Sequence, residues 1–420
     1  MVEKGSLFGL KFVLKYRYLA FAISNKRFLG FGLTLAFFSS FGQTYFIGLF
    51  GENIRDEFDL THGTFGTAYT LATAISAVML IWIGRLIDKI DLRYFTLGSC
   101  LLLIGACFIL SFSNGIISLC AALFALRLSG QGLMTHIYST AMGRYFDKDR
   151  GKAISVAALG HPLGEALLPS LVILLISIIG WRETWLAFGV FNGLLLLPFI
   201  FWLLKGQKER HLKLTTEALF HEKSLIKSWT ISEVIRDVRF YAFLGAILAP
   251  AFLLTGVFFH QAHLADEKNW SMSWIATSFT AFAVSSVLTM IGSGVLIDRI
   301  GAARTLIIMP IPLVVAMAII AFTDQLFAAP LLMIASGLCV GMVFTSGAAL
   351  WPEIYGEKYL GSIRALVTAL IIGASAISPA VFGLFIDKGI TFNQLAIGGM
   401  AWSIISVFVL LFVIIKKGLN

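Results

Sequence analysis

The chain has 420 residues, of which 58% are hydrophobic and 13% charged, with a formal net charge of +9. A soluble domain carries roughly 25% charged residues because it has to present a hydrated surface; at a mean hydropathy of +0.88 this chain has too few to cover one. That excludes a soluble globular body for most of the sequence and leaves lipid as its solvent.

A membrane-spanning helix needs roughly 20 apolar residues to cross about 30 Å of hydrocarbon. Residues 1–27 are too broken by Lys4, Lys11, Lys15, Arg17, Lys26 and Arg27 to be a span or a cleaved signal peptide. Positions 6–27 read either as a basic amphipathic helix on the membrane surface or as a partly ordered tail. Six apolar runs follow over 28–50, 63–86, 94–112, 116–142, 152–179 and 184–204, giving a first half over 28–204. A polar connector over 205–239 holds eight Lys and Arg residues and ends on Thr230-Ile-Ser-Glu233, the pattern of a capping box opening a short helix. The second half, 240–420, holds six more runs over 240–261, 271–296, 305–323, 326–348, 364–386 and 392–415. These runs are too long and too little alternating for a lipid-facing barrel, so the fold class is an all-α membrane protein of twelve transmembrane helices.

Basic residues set the orientation. Lys89 and Arg93, Arg144 to Lys152, Arg299 and Arg304, Lys358 and Arg364, and Lys416 and Lys417 lie on alternate connectors, together with the N-terminal arm and the central connector. The positive-inside rule therefore places both termini and the connector in the cytoplasm of a multi-pass cell-membrane protein. The same loops account for the net charge. Dispersed among short connectors, they do not form a nucleic-acid surface. Cys100, Cys107, Cys120 and Cys339 lie in apolar stretches without CxxC spacing and read as small packing residues. No metal or other cofactor is expected.

The second half repeats the first. Gly84-Arg-Leu-Ile-Asp88-Lys89-Ile returns as Gly294-Val-Leu-Ile-Asp298-Arg299-Ile, an offset of 210 residues, and Tyr145 to Gly151 returns as Tyr355 to Gly361 at the same offset. Pro169 and Pro379 keep it too. An even number of spans separates equivalent positions, so the two six-helix halves run parallel, a plan used by secondary transporters.

At the first repeat the chain resembles the major facilitator superfamily, whose signature between spans two and three reads roughly Gly-x-Leu-x-Asp-Arg-x-Gly-Arg-Arg. Gly84, Leu86, Asp88, Lys89 and Arg93 match it, with Asp91 standing where glycine is usual. The second copy keeps Gly294, Leu296, Asp298, Arg299 and Gly301, with its last basic residue at Arg304. The resemblance implies the major facilitator fold and a conformational latch at the cytoplasmic ends of the halves; loop capping by Asp88 alone is the plainer reading of the same residues. Arg127-Leu-Ser-Gly-Gln-Gly132 is similar to the span-four motif of the superfamily. Tyr145-Phe146, Arg150-Gly151, Ala153, Gly160 and Gly164-Glu165 resemble the entry to span five in its monocarboxylate and oxalate transporter branch.

Ionisable residues inside spans cost about 2.5–3.5 kcal/mol at the centre on insertion scales and so point to function. Arg127 in span four and Glu165 in span five both fall near the midplane, and their repeat positions are Gly337 and Ser375. Two readings are open. In one, Arg127 receives an anionic group and Glu165 competes with it or carries a proton; in the other, the two form a permanent ion pair that fixes packing. Gln43, Tyr45, His161, Asn192 and His260 are further candidates for substrate binding or coupling. Pro250 and Pro379 are expected to kink their helices. The sequence contains no Walker loop, HExxH or GxSxG. The expected function is secondary active transport of a small organic anion, of the monocarboxylate class by resemblance, by proton symport or anion exchange, by a monomer in the bilayer and not by an enzyme. A drug or metabolite exporter, or a membrane sensor without transport, is the alternative.

Overall fold

Hydrocarbon offers backbone amides no hydrogen-bond partner, so each crossing has to satisfy its own. The computed structural model describes residues 21–146, 149–207, 229–356 and 359–417, and no strand occurs among them. Most of the N-terminal arm and of the connector, with Lys148 and Lys358, lies outside the described residues.

Among the described residues, eleven helices are long and apolar enough to cross a membrane: α2 (His62–Asp88), α3 (Leu92–Ser111), α4 (Ile116–Tyr145), α5 (Arg150–Ile179), α6 (Trp181–Leu203), α7 (Val238–Phe259), α8 (Met272–Ile300), α9 (Ala302–Phe322), α10 (Ala328–Tyr355), α11 (Ser362–Asp387) and α12 (Phe392–Val413). The first crossing, α1, is broken into Lys26–Phe38, a 3₁₀ turn at Ser39–Gly42 and Thr44–Gly48. Side chains start several of these rods. Thr61 accepts from the Thr64 amide at α2, Asp237 from the Arg239 amide at α7 and Ser271 from the Trp274 amide at α8. Thr230 and Glu233 form the expected capping box at the short helix Ile231–Arg236. The helices run on through Pro169, Pro250 and Pro379.

Connectors alternate between two faces of the bundle. One, the basic face, carries 89–91, 146 and 149, 301, and 356 and 359; the opposite face carries 49–61, 112–115, 260–271, 323–327 and 388–391. Within the first half α1 packs on α4 and α5; within the second, α8 packs on α10 and α9 on α12. Across the midline, α2 pairs with α11 and α5 with α8.

Near the opposite face this midline is tightly joined. The amides of His62 and Gly63 donate to the two carboxylate oxygens of Asp387 at 3.0 and 2.9 Å. Thr70 donates to the Ala376 carbonyl at 2.6 Å, and the Gln261 side-chain amide to the Tyr45 carbonyl at 2.8 Å. Phe65 and Tyr69 stack against Phe259 at 4.8 and 4.6 Å between ring centroids. Farther out, Lys268 is buried between Asp324 at 2.5 Å and Asn393 at 2.7 Å, which ties two connectors of the second half to the start of α12.

The helix Gly51–Phe58 lies on this face, beyond α1. Its Glu57 accepts from the Trp181 indole and the Arg182 guanidinium, both at 2.8 Å, and Arg182 donates to the Ser111 carbonyl at 2.6 Å. The Arg182 hydrogen bond, followed by that from Trp181, holds the Glu57 carboxyl below its ordinary value of 4.5. Because the folded value is the lower one, this stabilisation is complete above the unfolded value and disappears as pH falls through the folded one. Glu57→Gln should lower the thermal midpoint slightly at neutral pH, by under about 1 kcal/mol for so exposed a pair. Melting curves of both proteins in detergent should converge in acid; a gap that persists there would place the cost elsewhere.

Candidate functional site

The break in α1 begins with backbone geometry. Gln43 is extended, with φ −80° and ψ 150°, so the helical bond from Phe46 to the Gly42 carbonyl is lost. A bare carbonyl at this depth costs several kcal/mol. Arg127 of α4 supplies the donor, its Nη1 lying 2.7 Å from the Gly42 oxygen. The guanidinium also sits 5.1 Å over the Tyr69 ring, and the Tyr69 hydroxyl is 2.7 Å from the Thr44 hydroxyl on the far side of the break. Arg127 is only 2% exposed. It begins a widened π-helical stretch, Arg127–Met134, that turns Gln131 forward. The two backbones touch here. A Cβ on Gly130 would come within 2.6 Å of the Gly42 nitrogen and 3.1 Å of the Ser39 carbonyl.

In front of the break lies a cavity of about 310 Å³. One wall comes from the first half: Gln43, Thr44, Tyr45, Gln131 and Glu165. The other comes from the second half and is mostly apolar, with Phe258, Phe279, Phe282 and Phe344 foremost and Thr255 and Ser375 as its polar points. Thr255 and Ser375 hydrogen-bond each other at 3.1 Å. Glu165 makes no hydrogen bond or ion pair with the described residues, and the Tyr45 hydroxyl is buried beside Ser40 without a partner in hydrogen-bond geometry.

Glu165, Gln43 and Tyr45 thus come together as cavity residues. Arg127 does not join them: no ion pair links it to Glu165, because the bare carbonyl of Gly42 and the face of Tyr69 hold it behind the wall. His161, one turn before Glu165, lies off the cavity and bonds Ser39 at 3.2 Å and Tyr138 at 3.1 Å. Asn192 is fully buried in the π-helical turn Asn192–Leu196 of α6, outside the lining. His260, at the end of α7, lies off the cavity and bonds the Pro379 carbonyl at 2.8 Å in the joined interface of the opposite face. Thr44, Tyr69, Gln131, Thr255 and Ser375 were not singled out by sequence. Two of them had a signal: Thr255 and Ser375 follow Tyr45 and Glu165 by the repeat offset.

At the basic face the two signature copies differ. Asp88 pairs with Arg144, which also donates to the Ile87 carbonyl at 3.3 Å. Arg93 pairs with Asp91 at 2.8 Å. Lys89 is exposed, and Gly84 packs near His136, whose Nε2 lies 3.1 Å from the Gly84 oxygen. Asp91 caps α3 with φ −53°, whereas its counterpart Gly301 turns at φ +84°, a left-handed geometry suited to glycine. In the second copy Glu353 of α10 accepts from the amides of Ala302 at 2.8 Å and Ala303 at 3.4 Å, while Asp298, Arg299 and Arg304 are exposed. A Cβ at Gly294 would meet nothing within 4 Å. The Asp88 carboxylate is 66% exposed.

Comparison with known proteins follows the same outline. Residues 32–271 match the family described as Major Facilitator Superfamily. Among solved structures, the nucleoside transporter NupG aligns with a TM-score of 0.67 at 14% identity, over 93% of this chain and 100% of that one. A bacterial homolog of the human lysosomal transporter Spinster, inward-facing and unoccupied, aligns with a TM-score of 0.62 at 16% identity, over 92% and 95%. At such identities the likeness concerns the fold. No curated protein matches by sequence.

If Arg127 is the cap of a broken helix, its removal should act first on stability. Arg127→Ala, which strands the Gly42 carbonyl, should cost about 1–3 kcal/mol, and Arg127→Lys less. Thermal unfolding without added solute reads this directly. An Arg127→Ala protein as stable as the parent would refute the capping role.

Proposed function

The chain belongs to the Major Facilitator Superfamily of membrane transporters, and on that premise we propose that it carries a small solute with an apolar body and a neutral or cationic polar end, by alternating access. The charge of the cavity supports this reading: Glu165 is its one carboxyl, and no Lys, Arg or His of the described residues lines it. Amide and hydroxyl groups of Gln43, Thr44, Tyr45 and Gln131 offer hydrogen bonds beside that carboxyl, and four phenylalanine rings face them. Aromatic faces accept flat apolar groups and attract cations. A volume of about 310 Å³ stands at the small end of ligand pockets, roughly 300–1,000 Å³. A nucleoside, the solute named for the structurally similar NupG, has the required division into a flat base and a hydroxylated end. As the cavity's lone carboxyl, Glu165 is where a proton and a cationic solute exclude each other, which makes it the coupling residue of this reading.

The joined opposite face supports a state open toward the basic face, which the positive-inside rule assigns to the cytoplasm. Return to the other state brings the clusters Gly84–Arg93 and Gly294–Arg304 together as the latch of the closed basic face. The open space around Gly294 and the exposed Asp88 carboxylate accord with surfaces whose partners arrive only then.

One observation favours a second reading, the carrier of a small organic anion. The Arg127 Nε is buried without a partner, so a carboxylate displacing the Gly42 carbonyl would find a free donor. Stabilisation of the purified protein by amines, nucleosides and small carboxylates separates the two. Amines or nucleosides should stabilise it, and Glu165→Gln should weaken an amine at least tenfold, about 1.4 kcal/mol. Stabilisation by carboxylates alone, lost in Arg127→Lys, would replace this reading with the anion carrier. Gly294→Leu should leave the melting temperature unchanged and reduce transport in vesicles severalfold by obstructing the closed basic face; full transport would remove Gly294 from the latch.

A further inference from the structure

Three imidazoles meet where the opposite face is sealed. His62 opens α2 in the first half; His260 and His263 flank the start of Gln261–Lys268, directly after α7 in the second. The His62 ring lies 4.4 Å from that of His263 and 5.5 Å from that of His260, centroid to centroid. The void among them is only about 10 Å³, room for about one water at most. The backbone of His62 sits on contacts that hold the halves together, its amide on Asp387 and its carbonyl against α11 at Gly383, while the His260 ring braces the same stretch of α11 through the Pro379 carbonyl within the second half.

The charged groups facing the cluster do not compensate it equally. His263 has Glu267, 3.0 Å away on its own helix, and the other Glu267 oxygen accepts from the Phe392 amide at 2.8 Å. Arg55 and Glu52 of the helix Gly51–Phe58 border the same void, so one cation and one anion arrive from that side. Asp387 of α11 spends both carboxylate oxygens on the amides of His62 and Gly63. The His62 Nδ1 is buried with no partner. A proton on His62 would therefore place a cation beside His263, His260 and Arg55, with Asp387 and Glu267 already engaged and Glu52 set against Arg55 as the one other carboxylate at the void. Like charges so close and so poorly hydrated repel strongly.

We propose that His62, His260 and His263 form a proton-operated latch, which seals the opposite face while His62 and His260 are neutral and releases it when they are protonated. Released, α2 and the end of α7 part, and the cavity opens on the side from which the protons came. This latch extends the alternating-access reading but can be followed without a solute. Its sign is fixed: acid at the opposite face favours the state open to that face, and neutral pH favours the sealed one.

The test is a distance measurement between spin labels on Asn114→Cys and Gln325→Cys, exposed residues of the opposite face in the first and second halves, with the four native cysteines replaced by alanine. Lowering the pH from about 8 to about 5.5, across the range in which imidazoles titrate, should lengthen the label-to-label distance by several ångströms. His62→Phe and His62→Gln, a bulky and a polar neutral replacement, should each abolish that lengthening or move its midpoint by at least one pH unit. Monodispersity and melting temperature identify a variant that has failed to fold, and the other variant then decides. Lengthening that persists unchanged in the folded His62 variant, or its absence in the parent across this range, overturns the latch. A parent protein whose distance responds to solute but not to pH overturns the latch and leaves alternating access standing.

Discussion

A carbonyl released from its helix in the middle of a membrane has to be met by something, and the geometry around Gly42 follows from that requirement. Water is excluded and lipid has no donor, so the break in α1 is permissible only because Arg127 reaches across from α4 at 2.7 Å. To reach, Arg127 needs the two backbones close, which the paired glycines at 42 and 130 allow. To remain charged there it needs a negative surface, which the face of Tyr69 offers. With the break held open, Gln43, Thr44 and Tyr45 leave the helical path and become the polar wall of the cavity. A costly buried cation thereby supports the cavity wall from behind.

Duplication supplies the frame, and departure from duplication supplies the chemistry. Tyr45 and Thr255 are equivalent by the offset of 210, as are Glu165 and Ser375, and all four line the cavity. Arg127 has no such counterpart: Gly337 stands in its place, and a Cβ there would collide with the Ser285 hydroxyl and the Phe282 carbonyl. The second half has used the small residue to press α8 against α10, so its side of the cavity is closed by tight packing and lined by rings. Acid and amides on one side and aromatic carbon on the other follow from one position having been resolved twice, once with a guanidinium and once with no side chain.

Much of this architecture was legible in the residues. The apolar runs gave the crossings because length against hydrocarbon thickness is a strong constraint, and Thr230 with Glu233 announced its helix because a capping box is local. Depth in the membrane was also readable, which is why Arg127 and Glu165 stood out. Direction was not. Whether a side chain at the midplane faces a cavity or a neighbouring backbone depends on the rotation of its helix and on the path of the chain opposite, and Arg127 turns away because α1 breaks at Gly42. That break has no proline to mark it, only the polar stretch Ser39–Thr44 in an otherwise apolar run. His260 lies at the seal and not at the cavity, because that is where α7 ends. The small-residue pair at Gly42 and Gly130 was visible, but only as two glycines in different helices.

The seal of the opposite face is built largely from main chain. Asp387 grips two amides, Thr70 and Gln261 grip carbonyls, and bare backbone at Gly66 rests on the Pro379 carbonyl. Asp387, Thr70 and Gln261 each set one side chain against a peptide group of the other half, and, proline aside, a peptide group is present whatever residue stands there. A substitution at the gripped positions therefore leaves the donor or acceptor in place, and the seal is more exposed to change at the three gripping side chains than at the chain they hold.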